Sequence, residues 1–229
     1  MAFHDILLIE GTKTMKNALI SVSNKARLDE LGARLSQLGF TIFSTGGTAE
    51  ALRTGGIRVT EVADYTGFPE MMGGRLKTLH PMVFGGILAD RSKEEHVAAM
   101  NSQGMAPFSL VIVNFYPFEE KVKERLSWEE TIESIDIGGP SMVRAAAKNH
   151  EHVTVVVDPA DYDEVLRELS ENDTSLVTSS LRRWLAFKAF KHTSDYDAVI
   201  AGYLNDPPDR PAHIKRQLVR EGKTSRTGF

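Results

Sequence analysis

Apolar residues along the chain fall into short blocks with two different spacings. Ala18 to Val22 (ALISV) is a nearly continuous apolar run, suited to a strand buried on both faces. From Ala26 to Leu38, apolar residues recur at Leu28, Leu31, Leu35 and Leu38, which is helical spacing. Gly39 ends that segment as a glycine just past a helix would. Strand character returns at Phe40 to Phe43, Thr48 to Arg53 reads as a short helix, and Ile57 to Val62 as a third strand. Val83 to Ala89 and Leu110 to Phe115 (LVIVNF) read as further strands, with a helix from Lys93 to Gln103 between them. Val153 to Val157 (VTVVV) is the last clear strand. Three helices are expected after it, over Asp158 to Ser170, Ser175 to Lys191 and Asp195 to Leu204.

Strands alternating with helices of about 10–15 residues imply an α/β fold, with a parallel sheet flanked by helices and additional helices at the C-terminal end. On this reading 1–15 is an N-terminal extension, 16–204 the folded domain, and 205–229 a tail or linker. That tail carries Pro207, Pro208 and Pro211 and ends basic and polar. Met15 offers a second possible start.

Composition narrows the function classes. With 41% hydrophobic and 25% charged residues, the chain has globular proportions, which excludes a disordered or low-complexity class. The 27 Lys plus Arg against 31 Asp plus Glu give a net charge of -4. That argues against a general nucleic-acid or membrane-surface binder. The apolar run Ile6 to Ile9 is too short for a secretion leader, and no stretch approaches the ~20 apolar residues of a membrane-spanning helix. A cytoplasmic protein is expected. The absence of cysteine removes disulfides, thiolate metal sites and cysteine nucleophiles. No cluster has metal-ligand spacing, so no metal is expected.

Candidate chemistry concentrates in four loops. Ser21-Val22-Ser23-Asn24-Lys25 follows the first strand, and Ser44-Thr45-Gly46-Gly47-Thr48 follows the second. Short hydroxyls, glycines and a helix start can cradle an anion on free backbone N–H groups. Ser and Thr are equally ordinary helix caps, so either loop alone is weak evidence. Neither is a Walker loop, because no Gly-Lys-Ser/Thr follows. The third loop runs Thr66-Gly67-Phe68-Pro69-Glu70 and then Gly73-Gly74-Arg75-Leu76-Lys77-Thr78-Leu79-His80-Pro81. Read as extended, it puts Arg75 and Lys77 on one face, as an anion site or as a solvated basic turn. His80, before Pro81, reads as structural. The fourth is Asn114-Phe115-Tyr116-Pro117 at a strand end, with Ile135-Asp136-Ile137-Gly138-Gly139-Pro140 further on. Asp136 reads either as a helix cap or as an acid–base group. Arg144 and Lys148 lie one turn apart on the helix that follows.

The segments SVSNK, STGGTA, TGFPEMMGGRLKTLHP, NFYPF and IDIGGPSMVRAAAKNH, in that order, closely resemble the inosine monophosphate (IMP) cyclohydrolase domain of the bifunctional purine-biosynthesis enzymes. The likeness runs from Ala18 to Leu204. It implies a methylglyoxal-synthase-like, Rossmann-like fold. It implies dehydrating ring closure of 5-formamidoimidazole-4-carboxamide ribonucleotide to IMP, with no cofactor. By the same resemblance, Lys77, Tyr116, Asp136 and Lys148 match the family's catalytic residues. Ser21, Ser23, Lys25, Ser44, Thr45, Gly46, Arg75, Thr78 and Asn114 match its nucleotide-binding residues, and Lys77 or the N–H groups of Ile137, Gly138 and Gly139 suit an oxyanion. The family usually has aspartate where this chain has Asn24. A homodimer is implied, and a separate formyltransferase stays open as a partner: 229 residues leave room only for the cyclohydrolase part, so the chain reads as either monofunctional or an excised domain.

If Pro140 to Asn149 forms one straight helix, Lys148 lies roughly 12–15 Å from its start, in tension with a shared site with Asp136. Two other functions share the phosphate cradle. A methylglyoxal-synthase-like lyase leaves KTLHP, NFYPF and IDIGGPS unexplained. A nucleotide-sensing module has no need to keep Lys77, Tyr116 and Asp136 together.

Overall fold

A computed structural model describes residues 16–115, 118–124, 126–171 and 175–205. The strands are β1 (Asn17–Val22), β2 (Thr41–Ser44), β3 (Val59–Glu61), β4 (Leu110–Asn114) and β5 (Thr154–Val156). All pair in parallel, in the order β3-β2-β1-β4-β5. β1 and β4 are buried almost throughout, which is why they read as apolar runs rather than as alternation.

Helices cover both faces of the sheet. On one side are α1 (Leu28–Gln37), α2 (Gly46–Thr54) and α9 (Tyr162–Glu171). Leu28, Leu31 and Leu35 of α1 and Val165, Leu166 and Leu169 of α9 close over Ala18, Ile20, Leu110 and Ile112. Successive strand residues alternate, so Leu19, Val111 and Val113 serve the opposite face. There α8 (Gly138–Lys148) lies on β4 and β5 and against α4 (Pro81–Leu88), burying Val83, Ile87, Met142, Val143 and Ala146. In sequence α3 (Val62–Thr66) precedes α4, and α5 (Glu94–Ser102) follows it.

Two sequence expectations change. Residues 83–88, expected with Ala89 as a strand, are helix. A short apolar run does not distinguish the two by periodicity. The deciding features are local: Pro81 fits the first helical turn, and the His80 side chain accepts a hydrogen bond from Met82 N at 3.2 Å. Gly86 then lets α4 lie against the Ala106 carbonyl and Phe108, where a Cβ would come within 2.1 and 2.9 Å. The expected helices 175–191 and 195–204 are one 26-residue helix, α10 (Ser179–Leu204). Thr193 passes through it because its hydroxyl bonds back to the Phe190 carbonyl at 3.0 Å.

The chain falls into two compact units, one of residues 1–116 and 136–193, the other of 117–135 and 194–229. The first holds the whole sheet. The second contains α6 (Phe118–Lys123), α7 (Trp128–Glu133) and the end of α10. Its core is aromatic: Tyr203 stacks on Trp128 at 5.0 Å and meets Phe118 edge-on at 5.5 Å. A capping box between Ser127 and Glu130 starts α7. Among the described residues no helix is long and apolar enough to cross a membrane. The extension 1–15 and the tail beyond Asn205 lie outside the described residues.

Candidate active site

In an open parallel sheet the ligand crevice lies beyond the carboxyl ends of the strands, where the strand order reverses. Here that point is between β1 and β4, with Val22 paired to Asn114. The loop after β1 is fastened across it. Asn114 Oδ1 accepts hydrogen bonds from Ser23 N and Asn24 N, both at 2.9 Å, and from Ser23 Oγ at 3.2 Å. A side chain read from sequence as a base or ribose contact therefore also builds the loop that carries Ser23. Ser21 precedes it on the same face of β1, half-buried.

The second loop has the backbone shape of an anion cradle. Thr45 is extended, Gly46 turns at φ 49°, and α2 begins. The positive φ explains a glycine there. Lys25 Nζ lies 3.9 Å from where a Cβ of Gly47 would be. A cation beside the positive end of a helix dipole is unfavourable unless an anion joins them. Lys25 has no ion pair among the described residues. Thr48 Oγ1 accepts from Val22 N at 3.1 Å and donates to Val22 O at 3.0 Å, pinning α2 to the end of β1. Ser44 sits beneath the cradle. It is fully buried, and its hydroxyl is spent on the Ile20 carbonyl at 2.6 Å.

The third loop is not extended. Met71 and Leu76 form an antiparallel bridge around a tight turn, with Met72, Gly73 and Gly74 at positive φ and Arg75 in helical conformation. Arg75 and Lys77 are exposed on this turn, and Lys77 has no ion pair among the described residues. Thr78 is buried, and a Cβ on Gly138 would lie 2.9 Å from its hydroxyl. The loop thus abuts the N-terminus of α8. Asp136 stands at the same place, its Oδ1 accepting from Gly139 N at 2.9 Å. Ile137, next to it, is largely exposed.

The structure brings together Ser23 with Asn114, Lys25 with Gly46 and Gly47, and Thr78 with Gly138 and Asp136. The first two groups lie at the ends of β4, β1 and β2, three adjacent strands about 10 Å across, and the third lies at the start of α8. It does not bring Lys148 to them. The helix is unbroken, so Lys148 lies about 15 Å from Gly138, toward the opposite edge of the sheet. Tyr116 lies outside the described residues. Sequence reasoning missed Thr48 as a tie and His80 as the cap of α4. The hydroxyl of STGGT was a visible signal for the first, and His-Pro before an apolar run for the second. Among the described residues no three His, Asp or Glu side chains converge on a metal-sized space.

Comparison with known proteins is consistent over nearly the whole chain. The MGS-like domain family matches residues 27–141, and the AICARFT/IMPCHase bienzyme family matches 146–228. A crystal structure of ForH superposes with a TM-score of 0.74 at 39% identity, covering 82% of this chain and 98% of that one. The chain belongs to the MGS-like domain family, whose model matches half of it. The bifunctional purine biosynthesis protein PurH of Persephonella marina is 53% identical over 192 residues, and that of Bacillus subtilis 52% over 194. The matches take in 83% and 84% of this chain but only 37% and 38% of those proteins. The chain spans about two fifths of the length of these curated relatives.

Proposed function

We propose that this chain closes the imidazole carboxamide of 5-formamidoimidazole-4-carboxamide ribonucleotide onto its formyl group, releasing water and forming IMP. The reading rests above all on the crevice at the β1–β4 reversal. An ammonium without a counter-charge among the described residues and a helix start flank it on one side; a carboxylate at a second helix start flanks it on the other.

The 5′-phosphate sits on the N–H groups of Gly46 and Gly47, with Lys25 and the Thr45 hydroxyl beside it. Ser23, Arg75 and Thr78 hold the ribose and imidazole. The carboxamide nitrogen attacks the formyl carbon and gives up a proton to Asp136. The oxygen of the tetrahedral intermediate gathers negative charge, which the N–H groups of Ile137 and Gly138 and the Lys77 ammonium stabilise. That oxygen takes up two protons, one from Tyr116 and the one Asp136 gained, and leaves as water; as it leaves, the formamido nitrogen forms the C=N bond and gives up its own proton, which restores Tyr116. Both reacting arms belong to one bound molecule, so holding them in near-attack geometry supplies much of the rate. Lys148 is given no step in its own chain's site, because its side chain does not span the length of α8. The substrate is a formamide, so an enzyme that transfers a formyl group must supply it.

The test is direct. Purified protein is mixed with the formylated ribonucleotide, and IMP is followed by its absorbance. Catalysed formation of IMP supports the reading. Tight nucleotide binding without IMP replaces it with a sensing module.

A further inference from the structure

One contact behind the crevice has no part in the chemistry above. Phe115 follows Asn114 at the end of β4 and is buried, and its ring stacks on the imidazole of His192 at 4.4 Å between centroids, 29° between planes. His192 lies 77 residues further along, on α10, so no local pattern in the sequence announces the pair.

The mount that carries His192 is firmly held. Arg182, at the start of α10, donates from Nε to the His150 carbonyl at 2.7 Å. Lys188 Nζ reaches Asp161 at 2.6 Å and Asp158 at 3.6 Å, in the loop after β5. Ala189 and Thr193, on either side of the histidine, are fully buried. A helix fixed at several points thus presses one ring against the end of β4.

What lies on the other side of that strand end is the substrate loop. Side chains of successive strand residues point to opposite faces, so Phe115 faces α10 while Asn114 faces the crevice. The Asn114 side chain holds the backbone of Ser23 and Asn24. A rotation of β4's end that lets Phe115 drift moves the Asn114 amide with it. Asn24 N then loses its acceptor, and Ser23 N keeps only the longer bond to the Asn114 backbone carbonyl at 3.3 Å.

We propose that His192 is a positioning residue, acting through Phe115 and Asn114 to hold the Ser23–Asn24 loop in its substrate-binding shape. The proposal rests on the crevice being the nucleotide site, and the experiment separates the two.

The first arm needs no activity. Amide hydrogen exchange is measured in wild type, His192→Ala and His192→Phe. In His192→Ala, exchange at Ser23 and Asn24 speeds up by roughly three- to tenfold, the scale of one lost aromatic pair, while Leu19 and Val111 stay protected. His192→Phe keeps a stacked ring and restores protection. The second arm reads KM for the formylated nucleotide and Kd for IMP. Both rise by about the same factor in His192→Ala, with kcat changed by less than about twofold, and both recover in His192→Phe. Unchanged exchange at Ser23 and Asn24 in folded His192→Ala overturns the proposal. So does a failure of His192→Phe to rescue. If wild type neither binds nor makes IMP, the functional reading falls and the exchange arm still decides the role of His192. Should His192→Ala not fold, Phe115→Leu removes the same stack from the other side and is read identically.

Discussion

The two edges of the sheet both carry polar side chains and use their charged groups differently. At the amino edge the groups satisfy one another. Asp90 accepts from Ser92 N and Oγ and pairs with His152 at 3.0 Å. Arg91 donates to the carbonyls of His152 and Phe108. Asn149 donates to those of Ile87 and Ala89, and Asn17 to that of Pro107. At the carboxyl edge, Lys25 and Lys77 have no ion pair among the described residues, and the N–H groups at the start of α2 point outward. Satisfied groups close the fold. Groups held in place yet short of a counter-charge are arranged for something that arrives.

If that contrast is right, the edges respond differently to substitution. The largest effect is expected at Asp136. Asp136→Asn keeps an acceptor for Gly139 N, so α8 stays capped, but it removes the proposed proton acceptor. Turnover should fall by about 10²- to 10⁴-fold with IMP still bound. Steady-state rates beside a thermal melt check this, and unchanged turnover would reduce Asp136 to a helix cap.

Next comes the amino edge. Arg91→Met leaves the Phe108 and His152 carbonyls without their buried donor, and should cost about 2–4 kcal/mol in urea unfolding. Burial already pushes the Arg91 guanidinium below its ordinary value, and Nε has no partner among the described residues. The two carbonyl bonds must therefore carry most of its contribution. KM and kcat of the folded fraction should not move. A large change in either would show that the two edges are coupled.

Smaller again is Lys25→Ala, expected to raise KM by about 10- to 100-fold, the worth of one charge-assisted contact to a phosphate, with kcat little altered. The effect should shrink with added salt. A fall in kcat at constant KM would move Lys25 from binding to chemistry.

The same contrast explains what could be read from the sequence. Parallel buried strands announce themselves as apolar blocks, so ALISV and LVIVNF gave β1 and β4 closely. Residues 83–89 misled because an apolar helix packed through Gly86 has the same local composition as a strand. At the site, loop chemistry is local, so Lys25, Gly46 and Asp136 stood out. Their partners are set by tertiary contacts. Nothing near Ser44 says that its hydroxyl turns inward to Ile20. Nothing near Asn114 says that it builds the loop after β1. The spacing of Asp136 and Lys148 did carry information, because an unbroken helix between them keeps the two apart.

The smallest effect tests the amino edge by pH. The Ser92 hydroxyl, then the Ser92 N–H and then His152 hold the Asp90 carboxyl at about 2, against about 3.9 for an ordinary aspartate. The folded state thus prefers the ionised form. The contribution is fully present above about pH 4, declines as the unfolded chain takes up its proton first, and is gone as pH falls through 2. Asp90 is open to solvent, so screening keeps the effect modest. Wild type should unfold at higher urea than Asp90→Asn at pH 6, and the two midpoints should converge as the pH approaches 2. IMP formation at pH 7 should be equal in both, since the loop after α4 lies across the sheet from the crevice. A gap that does not change with pH would mean that Asp90 stabilises by shape and hydrogen bonding alone. A change in IMP formation would mean that satisfied groups at one edge help set the geometry of the charged groups at the other.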